Sequence, residues 1–272
     1  MKKYKLGITY NVFNGEELLR QSILSIKDCV DYITVVWQRF SWTGNPTSSD
    51  LEIILRELVQ DKIIDNLIEF KFDVLDAPKN IRKLHRDKVN LGIKDLIKAN
   101  CTHFMLMDSD EFYRKDEFIA AKEFIYKNKI THSVCSIYDY RVSPIYREID
   151  ARDYCVGFIF RLHFFTRVIA IGRVNNMPVK VDPFRVVPFV PLIHKFYYMN
   201  MVSMRHMTGI RKDYSNKLKN SESNYSENGR IAIKKYGLLQ KKLEGLNEED
   251  LLEQGYIKVK DEFGLIKDWN LK

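Results

Sequence analysis

The sequence lacks several features that would assign it to common classes of protein. No apolar run reaches the roughly 18 residues that a membrane-spanning helix needs, and the basic N-terminus lacks the apolar run of a signal peptide. The cysteines Cys29, Cys101, Cys135 and Cys155 show no CxxC spacing, which argues against disulfides and a zinc site. We therefore expect a cytoplasmic chain that begins at Met1.

Acidic residues are fewer than basic ones, and glycine is sparse. The 272 residues include 44 Lys and Arg against 36 Asp and Glu, which gives a net charge of +8. This balance favours anionic partners, such as nucleotides, lipid head groups or nucleic acid, without choosing among them. Gly7 and Gly15, near the first predicted strand, do not form the glycine-rich phosphate loop that a nucleotidyltransferase usually carries.

The sequence does contain a regular alternation of apolar patterns. The segments YKLGITYNV, DYITVVWQ, LIEFKFDV and THFMLMD predict buried strands, and helical periodicity separates them. This alternation predicts an α/β fold with a mostly parallel central sheet flanked by helices. After Glu111 we expect a helix over 114–129, strands over 131–142 and 155–167, and a basic tail with helices near 209–219 and 230–243.

An acidic turn follows the fourth predicted strand. The segment FMLMDSDEFY places Asp108, Asp110 and Glu111 within four residues, directly after a buried strand. Ligands bind at the carboxyl ends of parallel strands, and crowded carboxylates need a compensating cation. We therefore expect Asp108 and Asp110 to hold Mn²⁺ or Mg²⁺. The alternative is that one of these Asp residues only caps the helix that follows.

With this turn the sequence resembles a known family, the nucleotide-sugar glycosyltransferases of GT-A (Rossmann-like) fold, and within them bacterial family-2-like enzymes. The resemblance rests on ITYNVFNGEELLRQSILSIKDCVDYITVVWQ, HRDKVNLGI and THFMLMDSDEFY, between residues 7 and 113. It implies a nucleotide-binding half at about 1–113, an acceptor half at about 114–208, and a helical extension over 209–272 that packs on the same domain. It also implies donor contacts, expected at Thr9, Tyr10, Asn11, Glu17, Gln38, Lys88, Asn90 and Ser109.

A second informative segment is MVSMRHMTGIRKDYSNKLKN, residues 201–220. A nucleoside diphosphate develops negative charge as it leaves, and Arg211 and Lys217 can stabilise that charge. His206, predicted in a loop, resembles the His that many GT-A enzymes supply as a third metal ligand. His194 is the competing choice.

The residues and the resemblance together predict metal-dependent transfer of a sugar from a nucleoside diphosphate, expected to be UDP, with inversion. The acceptor is expected to be a glycan or glycolipid, such as a bacterial surface polysaccharide or lipopolysaccharide, with peripheral contact to an anionic membrane at its inner face. We expect Asp153, followed by Asp139, to be the general base. Further candidates for this role are Glu148, Asp150 and Asp182. The alternatives are a nucleotidyltransferase and a nucleic-acid-binding protein; the acidic turn argues against the latter, and no nucleic acid is expected as a partner.

Overall fold

The computed structural model of the protein describes residues 4–168, 177–182, 185, 187–211, 214–220 and 227–268. The strands of this described part are β1 Leu6–Val12, β2 Tyr32–Trp37, β3 Asn66–Glu69, β4 His103–Met107, β5 Glu111–Phe112, β6 His132–Arg141, β7 Tyr146–Glu148, β8 Val156–Arg161, β9 Phe196–Gly209 and β10 Tyr256–Lys258. Its α-helices are α1 Glu16–Ile26, α2 Ser49–Gln60, α3 Ala77–Lys98, α4 Lys115–Asn128, α5 Tyr214–Asn220, α6 Glu227–Leu243 and α7 Glu248–Glu253. In these residues no helix is long and apolar enough to cross a membrane.

One sheet organises the molecule, in the strand order β10-β7-β6-β8-β4-β1-β2-β3. The block from β3 to β4 is parallel, as the alternation of strands and helices predicted. β8 then joins β4 in the antiparallel direction, and β9 runs parallel to β6. The α/β fold with a largely parallel central sheet flanked by helices is confirmed.

The parallel block is buried on both faces, which explains its continuous apolar segments. β1 reads LGITYNV, and β4 is buried over its full length. α1 packs with α2 on one face, where Leu19 and Ile23 join the main core, while α3 packs on β1 and β2 from the other. The carboxyl ends of β1, β2 and β4 therefore lie side by side at one end of the sheet.

Several local predictions or alternatives differ from the structure; the C-terminal extension, predicted to be helical, also contains the strand β10, and β8 ends at Arg161. β3 ends at Glu69, because its partner β2 ends at Trp37, so the predicted extension to 74 has no strand to pair with. His206 lies on β9 and not in a loop, because β9 pairs with both β5 and β6. The acidic turn does not cap a helix: α4 begins only at Lys115, after β5.

The β5–β9 pairing positions the acidic turn. Glu111 pairs with His206, and the Met207 amide donates to the Asp110 carbonyl at 2.8 Å. A short strand of two residues is thus enough to bring the turn after β4 against the end of β9.

Gly92 allows α3 to approach β1 closely. A Cβ added at Gly92 would lie 2.0 Å from Thr9 Oγ1 and 2.8 Å from Thr9 Cβ. We expect Gly92→Ala to lower the free energy of unfolding by about 1–3 kcal/mol, because the helix must move away from the strand. Urea denaturation measures this change. Gly245→Ala is the control, since its Cβ would meet nothing within 4 Å; equal losses in both variants would contradict the packing argument.

Candidate active site

A cleft of about 310 Å³ opens at the carboxyl ends of β1, β2 and β4. Most residues that the sequence singled out line it: Thr9, Tyr10, Asn11, Gln38, Lys88, Asp108, Ser109, Asp110, His206, Arg211 and Lys217. The structure therefore brings the ends of the parallel strands together with β9 and α5, which follow about a hundred residues later in the chain.

The other predicted residues lie elsewhere. The Asn90 side chain bonds the main chain of Val168, with distances of 2.9 and 2.8 Å, and does not line the described cleft. Burial lowers the pKa of the Arg211 guanidinium, but Asp110 raises it, and Glu17 lies close enough to raise it further. The Asp153 carboxylate is 75% exposed and pairs with Lys180. Asp139 is buried directly behind His206.

Asp110 is buried among cations. Its carboxylate lies 2.6 Å from Lys217 Nζ, 2.9 Å from Arg211 Nη2 and 3.7 Å from His206 Nε2. Burial opposes its ionisation, but the charges of Arg211, Lys217 and His206 hold the pKa of Asp110 well below its usual range. Asp110 is therefore ionised, and side chains of the protein compensate its charge. At Glu111, by contrast, burial outweighs the charge of Arg185 and raises the pKa to about 8.

Arg185 compensates the other two carboxylates of the turn. Its guanidinium contacts Asp108 at 2.5 Å, pairs with Glu111, and approaches Asp182 at 3.8 Å. Sequence reasoning missed Arg185, because the residues next to it form no recognisable motif. The one available signal was its position as the only Arg or Lys between Lys180 and Lys195.

Gly15 lets the loop after β1 approach these groups. Its φ of 86° is in the left-handed region, and an added Cβ would lie 2.3 Å from Ser109 Oγ and 2.7 Å from Arg211 Nη1. Ser109 Oγ also donates to the Asn14 carbonyl at 2.9 Å. The loop, the acidic turn and Arg211 thus form one packed unit.

His206 is oriented by a buried carboxylate and an arginine. Its Nδ1 lies 2.7 Å from Asp139 Oδ1 and donates to it when this nitrogen carries the proton, because the carboxylate only accepts; Arg152 Nη2, a donor, lies 3.0 Å from the same nitrogen. Arg152 contacts both oxygens of Asp139, at 2.6 and 2.7 Å. Burial raises the pKa of Asp139, but His206 and Arg152 hold that pKa well below its usual range. Asp139 is therefore a weak proton acceptor, and it turns His206 Nε2 toward Asp110.

The opposite part of the cleft has polar atoms without partners. Among the described residues, the buried Asn11 Oδ1 and Gln38 Oε1 have no hydrogen-bond partner. Gln38 Nε2 donates to the Phe40 carbonyl at 2.7 Å, which fixes the side chain. Trp42, which sequence reasoning missed, also lines this part and packs on Phe72. These groups could accept hydrogen bonds from a planar polar ligand and stack on it.

The predicted metal ligands share one side of the cleft but are not gathered into a ready site. In the described parts of the chain, no group of three or more His, Cys, Asp or Glu side chains is close enough to hold a metal ion. The chemistry of the donors nevertheless fits a divalent cation: two carboxylates and an imidazole whose Nδ1 is held by a carboxylate, the arrangement that prepares Nε2 to bind a metal. His194 lies apart, with its ring 4.2 Å from that of His132.

One solved structure shares the fold of this chain. GalNAc-T7, solved with UDP, GalNAc and Mn²⁺, matches with a TM-score of 0.50 and 9% identity over 76% of this chain and 45% of its own. The chain has the GT-A fold. TarS from S. aureus, solved as residues 1–349 with UDP, matches with a TM-score of 0.37 and 14% identity over 50% of this chain and 36% of its own. The chain thus spans less than half of either structure. Neither a protein-family model nor a curated protein matches the sequence.

The two carboxylates that the sequence proposed as general base should differ sharply in their effect on stability. Asp139→Asn leaves Arg152 with a buried charge that is no longer neutralised, and we expect it to lower the free energy of unfolding by about 3 kcal/mol. Asp153→Asn removes an exposed ion pair and should change it by less than about 0.5 kcal/mol. Urea denaturation of both variants checks this. A small effect at Asp139 would show that the Asp139–Arg152 pair does not support the fold.

Proposed function

We propose that the protein is a glycosyltransferase that moves a sugar from a nucleoside diphosphate, expected to be UDP, to a glycan or glycolipid acceptor. The observation that carries the proposal is the division of the cleft into two parts. One part is lined by an indole and by two amide side chains whose buried oxygens have no partner, and the other holds three cations around an acidic turn. GalNAc-T7, which has the same fold, was solved with UDP, GalNAc and Mn²⁺.

The nucleoside is proposed to occupy the part beside Asn11, Gln38 and Trp42. Uracil and ribose carry N–H and O–H donors, which match the free Asn11 Oδ1 and Gln38 Oε1. Leaving such buried acceptors unpaired costs about 1–3 kcal/mol each, and a ligand that supplies donors removes that cost. Thr9 and Tyr10 form the neighbouring strand end, and Lys88 Nζ fixes the loop through the Val12 carbonyl at 2.8 Å.

The diphosphate is proposed to bind between Arg211 and Lys217. Both cations already meet at Asp110, at 2.9 and 2.6 Å, so they converge on one point that faces the cleft. Charge-assisted hydrogen bonds from such donors stabilise the negative charge that develops on a diphosphate leaving group. Arg185 stands on the far side of the turn, where it can contribute in the same way.

A divalent cation, Mn²⁺ or Mg²⁺, would be held by Asp108, Asp110 and His206. When bound, it would neutralise charge on the diphosphate as a Lewis acid. Asp139 is proposed as the positioning residue of His206, and no longer as the base, because Arg152 and His206 occupy its carboxylate.

Asp182 is the base that the geometry favours. It lines the cleft, whereas Asp153 faces solvent. Its carboxylate, 3.8 Å from Arg185, would accept the proton of the acceptor hydroxyl as that oxygen attacks the anomeric carbon. Attack from the face opposite the leaving diphosphate inverts the configuration. The proposed acceptor half, residues 114–208, contains Asp182.

Calorimetry with UDP tests the proposal directly. Arg211→Met and Lys217→Met should each weaken UDP binding by about 10–100-fold, because each removes a charge-assisted contact to the diphosphate. Mn²⁺ should strengthen UDP binding in the unchanged protein and lose that effect in Asp110→Ala. Lys235→Met, on the exposed face of α6, is the matched control. UDP binding that none of these substitutions affects would refute the site, and no binding at all would refute the function.

The pH dependence of UDP binding tests the role of Lys217. Burial, opposed by Asp110, lowers the pKa of Lys217 to about 8. UDP affinity should therefore fall as pH rises above about 8, with proton uptake on binding, while Lys217→Arg keeps its charge and shows neither effect. The effect of Lys217 on folding stability has the opposite sign. Between about pH 8 and 10.5 Lys217 binds more protons in the unfolded chain than in the folded one, so the free energy of unfolding rises with pH over this range. An identical pH profile in both proteins would exclude Lys217 from the phosphate site.

A further inference from the structure

A second surface, at the opposite end of the sheet, exposes four large apolar side chains. Phe164 and Phe165 follow β8 and are 84% and 67% exposed; Leu192 and Ile193 precede β9 and are 99% and 74% exposed. Folded soluble proteins seldom expose neighbouring apolar groups of this size unless the patch binds something. No part of the proposed transferase site uses these residues.

The two loops that carry these side chains are neighbours. β6 lies between β8 and β9, and Thr131, just before β6, contacts both: its carbonyl accepts from the Arg161 amide at 2.8 Å, and its Oγ1 accepts from the Lys195 amide at 2.8 Å. The rings of Phe164 and Phe165 lie 4.9 Å apart. We name the surface formed by Arg161, Phe164, Phe165, Leu192, Ile193 and Lys195 the aromatic-basic edge.

The aromatic-basic edge is built from segments without acidic residues. Residues 124–138, 154–181 and 186–212 contain no Asp or Glu, although acids make up 36 of the 272 residues. The same segments supply exposed cations at this end of the sheet, Lys127, Lys129, Arg161 and Lys195, and Lys195 Nζ reaches the Asn128 carbonyl at 2.9 Å. Exposed apolar side chains and positive charge thus share this end of the sheet.

We propose that the aromatic-basic edge docks on the surface of an anionic lipid bilayer. Exposed apolar side chains insert into the head-group boundary, while each nearby Lys or Arg is attracted to anionic lipids. A second copy of the chain fits less well, because a symmetric contact would oppose the same cations without an acid from these segments. Nucleic acid also fits less well, because the two most exposed aliphatic tips, Leu192 and Ile193, cannot stack on bases.

Docking in this way would set the orientation of the enzyme. Arg161 pairs with His103 at the start of β4, and the acidic turn follows the end of β4. The edge and the cleft are therefore separated by the length of one strand, about 15 Å. A bilayer at the edge leaves the cleft open to the aqueous side, so substitutions at the edge should not alter UDP binding.

Vesicle flotation with the full chain tests the inference. We expect binding to vesicles of phosphatidylcholine with phosphatidylglycerol, little binding to phosphatidylcholine alone, and a decline as salt rises. Phe164→Ser with Phe165→Ser, or Leu192→Ser with Ile193→Ser, should each reduce partitioning by about tenfold or more. Arg161→Gln with Lys195→Gln should remove most of the preference for anionic vesicles.

The matched control lies on α6, where Ile231 and Leu238 are 62% and 61% exposed beside Lys234 and Lys235. Ile231→Ser with Leu238→Ser should leave vesicle binding unchanged. Absence of binding, equal binding to neutral vesicles, or loss of binding only in the α6 variant would each overturn the inference. So would a wild-type dimer that the Phe164 and Phe165 substitutions dissociate, or displacement of bound vesicles by an oligonucleotide. UDP calorimetry on the same variants separates this result from the proposed function.

Discussion

Buried carboxylates at the end of β4 constrain the whole site. Asp110 and Glu111 are 2% and 1% exposed, and carboxylates at such depth are stable only if opposite charge lies within contact distance. Arg185, Arg211 and Lys217 provide that charge. They come from two separate parts of the chain, so the second half of the protein is held to the first by the charge of the acidic turn as well as by apolar packing.

Under the proposed function the same cations have a second use. A side chain that neutralises a carboxylate inside the molecule can also bind a phosphate that enters the cleft, because both are anionic oxygens. The apparent conflict between an acidic turn and an anionic donor is therefore resolved locally. It also explains why the three predicted metal ligands are not drawn together: Asp110 already interacts with Arg211 and Lys217, and Asp108 with Arg185.

Local sequence patterns predicted the parallel half well, because its strands are buried on both faces and its helices have clear periodicity. They also located Asp108, Asp110, Arg211 and Lys217 at the cleft. His206 was placed in a loop, because the Met-rich segment around it has no clear strand pattern and becomes a strand only through pairing with β5 and β6. Arg185 was missed, and Asp153, which is exposed and does not line the described cleft, was proposed as the base, for a related reason. Which lone charged residue reaches a cleft depends on tertiary contacts that one sequence does not reveal.

The pairing of β5 with β9 has a consequence for the order of folding. The partners of Asp110 lie 101 and 107 positions further along the chain, at Arg211 and Lys217. During synthesis the acidic turn leaves the ribosome long before the groups that neutralise it, and closing so large a loop is slow. The parallel strands can assemble early, but the turn remains hydrated until β9 is added. Under the proposed function, competence to bind a donor would therefore be among the last properties that the nascent protein acquires.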